Sequence, residues 1–367
     1  MSSLQIERIS IHGFKSIAAL SDFKPRRINL FIGQNGAGKS NFLSFFRLLA
    51  NMLGGTGNLQ QYVSITRGAS AMLHDGPETT ERLKASITLR TPAGLNEYRF
   101  QLVHASGDSF IFANEEFRFC PTDIQEAQWH SLGAGHKESA LIRAEGKTPQ
   151  TISTLFRNLI TYHFHNTTFG APMRNTKADK DNGWFLEEDG RNMAAVLLEL
   201  SLNQRDIYLK IVGILQQVLP FFHDFILEVE YGMVLLKWKE KNSTATFTAS
   251  QASDGMLRCM ALITLLCLPH GRKPSVIFLD EPEIGLHPSA ILTISELIHA
   301  AAEQSQIFLA TQNPDMLNCF SADEVVVVNR QGRGSTFEQL NEQDLSDWLE
   351  EYALSELWHK NILKGKP

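Results

Sequence analysis

The sequence predicts an α/β protein with a parallel core sheet, and three observations carry that prediction. The apolar run Ile28-Asn29-Leu30-Phe31-Ile32 leads into Gly33-Gln34-Asn35-Gly36-Ala37-Gly38-Lys39-Ser40 and then into an apolar stretch, 41–49, that reads as a helix. Val276-Ile277-Phe278-Leu279 is apolar without alternation, the mark of a strand covered on both faces. Ile307-Phe308-Leu309-Ala310 and Val325-Val326-Val327-Val328 repeat that mark, with helical spacing at Ile291, Ile294, Leu297, Ile298 and Ala301 before them. Strand, helix and strand at this spacing make βαβ units.

The stretch Gly33–Ser40 has the spacing G-x-x-x-x-G-K-S, and the spacing has a mechanism. Glycines let successive backbone N–H groups point inward around phosphate oxygens. The helix N-terminus adds partial positive charge at the same place. Asn35, Gly36, Ala37, Gly38 and Asn41 complete the cradle; Lys39 is expected to reach the β- and γ-phosphates and Ser40 to ligate Mg²⁺. A glycine turn that binds nothing is the bland alternative, and the strand and helix on either side argue against it. ATP and Mg²⁺ are therefore the expected cofactors.

A chain of 367 residues can bury one large core or two moderate ones. Net charge is −6, which excludes a globally basic nucleic-acid coat but not a local basic groove. Lys15, Lys24, Arg26, Arg27 and Arg47 are candidates for such a groove, although scattered basic residues usually only solubilise a face. Filter binding at two salt concentrations would read any phosphate-dependent slope. Cys120, Cys259, Cys267 and Cys319 form no C-x-x-C pair and fit free thiols in a reducing compartment. The N-terminus lacks a basic and then apolar leader, and the longest apolar stretch, 260–268, is too short to cross a bilayer. A cytoplasmic location and no membrane partner are expected.

Along the chain, residues 4–12 alternate as a first strand. From 84 to 119 a period of two, broken at Pro92-Ala93-Gly94 and Ser106-Gly107-Asp108, reads as an antiparallel meander. The polar stretch 121–142, with its lone Trp129, reads as a surface helix and loop, and 170–190 as a long loop. Helical spacing covers 193–219 in two segments, stopped by Pro220. Strands are expected at 226–238 and 245–247. These patterns suggest five parts. Residues 1–83 hold the phosphate loop, 84–120 an antiparallel β subdomain and 121–244 a helical insert lobe. Residues 245–335 hold the second half of the core, and 336–367 form a tail.

The second half carries acids and turns. Asp280, at the end of the 276–279 strand, is placed to hold the Mg²⁺ shell, and Glu281 to polarise an attacking water. Two solvated acids ending a strand are the plain alternative. Ser253 suits a helix cap, and Gly255 permits close approach of a backbone to a ligand. Gly285-Leu286-His287-Pro288 and Thr311-Gln312-Asn313-Pro314 follow strands, where open parallel sheets keep their function.

In this order the pieces resemble the ABC-type ATPases, and within them the SMC, RecF and OLD branch. Ile9-Ser10-Ile11-His12-Gly13-Phe14-Lys15-Ser16 looks like that branch's opening strand. Ser253-Asp254-Gly255 looks like its signature, with Asp254 where many relatives carry Gly. Leu279-Asp280-Glu281-Pro282-Glu283 and Gly285-Leu286-His287-Pro288 look like its Walker B and D-loop. The closing Leu354-Ser355-Glu356-Leu357-Trp358 resembles small RecF-like bacterial ATPases. The resemblance covers roughly 4–48 and 245–330. It implies an ATP-dependent head-to-head homodimer, with each nucleotide between one copy's Gly33–Ser40 loop and the other's Ser253 and Gly255. Catalytic roles would fall to Glu281, Gln312 and Lys39, and Mg²⁺ binding to Ser40 and Asp280.

Two departures stand out. Gln312 occupies the switch position, usually His, and cannot carry a proton charge. No Q-loop glutamine is evident, and 162–166 is the best positional candidate; His163 and His165 fit a structural role better than a metal pair. No sustained heptads occur, so a long coiled-coil arm is excluded, and no acidic cluster suggests a fused TOPRIM nuclease. The resemblance implies an ATPase that gates a DNA-related transaction, in anti-phage defence or DNA maintenance and repair, with a separate effector partner. The competing reading is a slow ATP-dependent clamp or sensor. A transporter motor ranks below both, because Met256 stands where that class carries Gln.

Overall fold

The computed structural model describes residues 4–54, 58–122, 127–164, 170–175 and 177–365. Two compact units divide the chain. The first takes Met1–Thr161, Ser275–Phe278 and Ser305–Pro367, and the second Tyr162–Pro274 and Leu279–Gln304. The first three sequence segments thus regroup, with 1–83 and 84–120 falling in one unit and 121–244 divided at 161/162.

The first unit opens with β1 (Gln5–Phe14), β2 (Ile17–Phe23), β3 (Ile28–Ile32), α1 (Lys39–Met52) and α2 (Asn58–Ile65). It continues through β4 (Arg82–Thr91), β5 (Gly94–Ala105), β6 (Ser109–Pro121), β7 (His130–Gly133), α3 (Lys147–Arg157) and β8 (Ile160–Tyr162), whose last residue begins the second unit. The expected meander is present, but it is no separate sheet. β1 pairs antiparallel with β4, Ile9 opposite Ile87, giving the order β2-β1-β4-β5-β6-β7. One face buries Ile9, Ile11, Ile87, Tyr98, Phe100 and Phe112, as period-two strands require.

The stretch read as a surface helix and loop instead adds strand β7 and a 3-10 turn, Ala140–Arg143. Its anchor is the buried Glu115 carboxylate, which accepts hydrogen bonds from Tyr98 Oη (2.5 Å), the Ala140 amide (2.8 Å) and the Ser139 hydroxyl. His136 Nε2 lies 2.8 Å from the same group. Trp129 lies between two cations, its ring 3.9 Å from the Arg99 guanidinium and 4.5 Å from that of Arg118. Cation–aromatic contacts of this kind hold a polar segment that has no core of its own.

The second unit contains α4 (Pro172–Asn175), β9 (Ala178–Asp179), α5 (Met193–Asn203) and α6 (Arg205–Val218). It then runs through β10 (Phe222–Ile226), β11 (Val229–Glu230), β12 (Met233–Val234), β13 (Lys237–Glu240), β14 (Thr246–Thr248) and α7 (Asp254–Cys267). The two predicted helices become α5 and α6, and the two predicted strands become five short ones. These pair as β10-β13-β14 and, with β9 from the expected loop, as β11-β12-β9. Tight turns explain the difference: Tyr231 sits at φ 53° and Asn242 at φ 62°, which fold the chain back every few residues.

β15 (Val276–Asp280) starts in the first unit and ends in the second, where α8 (Pro288–Ala302) follows. β16 (Gln306–Thr311), β17 (Val325–Gln331), β18 (Gly334–Gln339), α9 (Ser346–Leu349) and α10 (Leu354–His359) complete the first unit. The core sheet has the order β18-β17-β3-β16-β15-β8. β16 and β17 flank β3 in parallel, with Ile32 opposite both Thr311 and Val327. β18 returns antiparallel at the edge.

Helix α1 lays its aromatic stripe on this sheet. Phe31 and Phe42 rings stand 4.6 Å apart, Phe46 and Phe278 4.3 Å, and Phe278 and Phe308 4.9 Å. Burying each such ring stabilises by roughly 1.5–3 kcal/mol, so this cluster fixes the glycine loop between β3 and α1. The two sheets are joined by Gln306, whose buried amide accepts from the Ile6 N–H (2.8 Å) and donates to the Ile6 and Arg26 carbonyls (3.0 Å each).

Cys120, Cys259 and Cys267 are buried free thiols and Cys319 is half-buried; burial pushes Cys259 up to about 12. Among the described residues the longest helix, α8, has 15 residues, and no helix is long and apolar enough to cross a membrane.

Candidate nucleotide-binding site

In the first unit, residues Gly33–Gly38 leave the carboxyl end of β3 and turn into α1 as the sequence requires. Asn35, Gly36 and Ser40 are exposed, whereas Ala37, Gly38 and Lys39 are buried. Gly38 sits at φ 119°, a conformation L side chains rarely adopt, and a Cβ there would meet the Ser335 and Ser16 hydroxyls. Lys39, only 5% exposed, donates from Nζ to the Gly33 (2.6 Å) and Gln34 (3.1 Å) carbonyls. The lysine thus lies across the loop that it is expected to share with a phosphate.

Three residues brace the loop, and sequence reasoning found one of them. Asn41 Nδ2 donates to Ser16 Oγ (2.8 Å), Ser16 Oγ lies 2.8 Å from Ser335 Oγ, and the Ser335 hydroxyl donates to the Ala37 carbonyl. Ser16 comes from the β1–β2 turn and Ser335 from β18, whose amide donates to the Ser16 carbonyl (2.7 Å). A serine in a tight turn carries no local signal for a contact 319 residues away.

Gln312 follows β16 directly, and Gly33 follows β3; because the strands are parallel and Thr311 faces Ile32, both lie at the same sheet edge. Gln312 is exposed there. Lys15, at φ 47° in the β1–β2 turn, donates to Ser44 Oγ of α1 (2.8 Å). Burial, and then the charge of Arg47, hold its ammonium below the usual lysine range.

In the second unit the Ser253 turn is a helix cap. Ser253 Oγ accepts from the Met256 N–H (3.3 Å), and Ser253 and Asp254 are exposed at the N-terminus of α7. Gly255 needs its missing side chain for a reason the sequence reading placed elsewhere. The backbone in close approach is the chain's own turn at Gly285: a Cβ on Gly255 would run into the Gly285 carbonyl oxygen. Arg258, one turn on, donates to the Ile284 (2.7 Å) and Phe164 (3.2 Å) carbonyls. The 253–258 segment and the 284–285 turn are thus packed and hydrogen-bonded to one another. Gly255→Ala is expected to lower stability by about 1–3 kcal/mol through overpacking, read as a lower urea midpoint.

Asp280 closes β15, and Glu281 follows it at φ 47°, the left-handed region that costs a non-glycine residue about 1–2 kcal/mol. Strain of this sort at an acid marks a functional candidate. Asp280, Glu281, Tyr162 and Arg258 line a small cavity of about 10 Å³, close to the room one water needs. Of the positional Q-loop candidates, 162–164 are described, and His165 and Asn166 lie outside the described residues.

The donor set fits a triphosphate: a loop entering a helix N-terminus, a buried lysine across the loop and a braced glycine turn. A bound Mg²⁺ would supply charge neutralisation at the phosphates.

The family described as "AAA domain, putative AbiEii toxin, Type IV TA system" matches residues 28–318. Among curated proteins, "Urease accessory protein 2" of Cryptococcus neoformans var. grubii is 32% identical over 105 residues, 26% of this chain and 8% of that protein. The chain thus spans less than a tenth of that relative's length. Among solved structures, an Smc head bound to the C-terminal winged-helix domain of ScpA superposes with a TM-score of 0.61 at 15% identity, covering 93% of this chain and 99% of that one. An Smc head domain with an extended coiled coil, bound to the C-terminal domain of ScpA and derived from Pyrococcus furiosus, gives 0.62 at 13% identity, covering 95% and 99%. One from Pyrococcus yayanosii with a coiled coil and joint gives 0.58 at 10%, covering 95% and 99%. These likenesses speak for the fold.

Proposed function

Because the chain belongs to the family described as "AAA domain, putative AbiEii toxin, Type IV TA system" and has the fold of Smc heads, we propose that it is an ATPase that works as an ATP-closed homodimer. The exposed Ser253 cap at the N-terminus of a 14-residue helix carries this reading. A helix N-terminus with an exposed serine cap can seat an anion, and a second copy's triphosphate is the anion proposed for it. Lys39 and the Gly33–Gly38 turn bind the phosphates, with Asn35, Ala37 and Asn41 shaping the cradle. Ser40 and Asp280 are assigned to Mg²⁺ by residue type and motif position. Glu281 orients the attacking water, and Gln312 hydrogen-bonds the γ-phosphate or that water. Nucleotide binds the closed state preferentially and shifts the population toward it.

Hydrolysis that needs two copies has a kinetic signature. Specific activity rises with protein concentration and then saturates as the dimer fills; a flat specific activity across a hundredfold range would contradict the reading.

A role in defence beside a separate effector fits the words "toxin" and "TA system" in the family description better than DNA maintenance does. The Smc heads are bound to ScpA, which supports a protein partner for this chain as well. Nucleic acid enters through Lys15 and Arg47. Both are half-buried, and they are close enough for the Arg47 charge to act on the Lys15 ammonium; each phosphate they neutralised would add about 0.9 to the slope of log affinity against log salt.

A further inference from the structure

Asp254 poses a problem for the proposed anion seat. It stands in the first turn of α7 beside the Ser253 cap, with its side chain 58% exposed. A carboxylate is favourable at a helix N-terminus, but it repels a phosphate brought to the same place.

The structure supplies the countercharge. Arg174, on α4 and 8% exposed, donates from Nη2 to Asp254 Oδ1 (2.5 Å). From Nη1 the same guanidinium donates to the carbonyls of Ala252 (2.7 Å) and Ala249 (3.0 Å), with Ser250 at 3.4 Å. All of these acceptors belong to the run that leads into Ser253. A planar fork with five donors suits this work, since it meets several fixed oxygens at once where a lysine ammonium meets them as a point charge. Arg258 holds the other flank of the helix start through the Ile284 carbonyl.

We infer that Arg174 is a positioning residue for the signature turn: it fixes the 249–253 backbone so that Ser253 faces outward, and it cancels the Asp254 charge so that a second copy's triphosphate is accepted there. The inference rests on the composite-site reading above. It also explains why an acid is tolerated at a position where the resemblance leads one to expect glycine. The charge enters together with its own neutralising partner, from a segment 80 residues earlier in the chain.

The test is sedimentation of the full chain with a non-hydrolysable ATP analogue and Mg²⁺, comparing wild type with Arg174→Gln, Asp254→Asn and the double variant. Arg174→Gln should weaken nucleotide-induced association about tenfold or more, with monomer nucleotide affinity unchanged, because the uncancelled acid then faces the phosphates. Removing that acid in the double variant should restore association to within about threefold of wild type. Asp254→Asn alone should associate at least as tightly as wild type, since it removes the acid from the seat while the Arg174 contacts to the 249, 250 and 252 carbonyls keep the turn in place. A double variant as weak as Arg174→Gln would show that Arg174 only folds the turn, and would overturn the charge assignment. Arg174→Gln associating like wild type would overturn it as well. If Arg174→Gln does not fold, Asp254→Asn decides, and weaker association there counts against the inference. Wild type that fails to associate with nucleotide at all, or associates equally well as Ser253→Arg, would instead remove the composite site itself.

Discussion

Lys39→Ala is expected to weaken ATP binding by about 10- to 150-fold, the loss of one or two hydrogen bonds from a charged donor, worth about 1.5–3 kcal/mol. The geometry supports this size. Nζ is buried and already points across the loop to the Gly33 and Gln34 carbonyls, so little reorganisation separates it from a phosphate oxygen at that place. Thermal denaturation with and without MgATP provides the measurement. Wild type gains stability as RT ln(1 + [L]/Kd), and the variant should need correspondingly more nucleotide for the same gain. Full retention of the ATP-induced shift would place the nucleotide elsewhere.

Glu281→Gln is expected to lower turnover by about 10²- to 10⁴-fold, the usual contribution of a positioned general base, while leaving ATP binding intact. The exchange keeps shape and a hydrogen-bonding oxygen but removes the charge that draws the water's proton. The φ of 47° at Glu281 suggests that the fold holds this acid in one orientation at some cost. With hydrolysis blocked, the nucleotide-closed dimer should persist, giving tighter association in ATP than wild type. A variant that dimerises no more tightly than wild type would favour the slow clamp, in which hydrolysis is incidental. Gln312 at the expected switch position and Asp254 in the 253–255 turn are the features that keep that reading in play.

The elements legible in the sequence were those whose signal is local. Gly33–Ser40 declares itself because phosphate chemistry demands that spacing, and β15, β16 and β17 because strands buried on both faces are apolar without alternation. Ser253 is legible as a cap for the same reason. What stayed hidden depends on distant partners. Nothing around Trp129 announces that two arginines from β5 and β6 will hold it, so that a polar stretch becomes a strand edge. Ser16 and Ser335 brace the glycine loop from opposite ends of the chain. Gly255 was legible as a close approach, but the approaching backbone, Gly285, lies 30 residues on and shows only in three dimensions. Arg174 was invisible for the same reason, lying in a stretch whose composition reads as loop.

Two inactive variants mixed together test the account most directly. Lys39→Ala leaves the Ser253 turn intact, and Ser253→Arg leaves the glycine loop intact; each homodimer then has two broken sites. Random pairing makes half the dimers mixed, each with one whole site, so the account predicts recovery of about one quarter of wild-type ATP turnover in a C2 assembly. If the mixture stays as inactive as its components while both proteins remain folded, or if Ser253→Arg alone turns over ATP like wild type, the nucleotide is not shared between two copies.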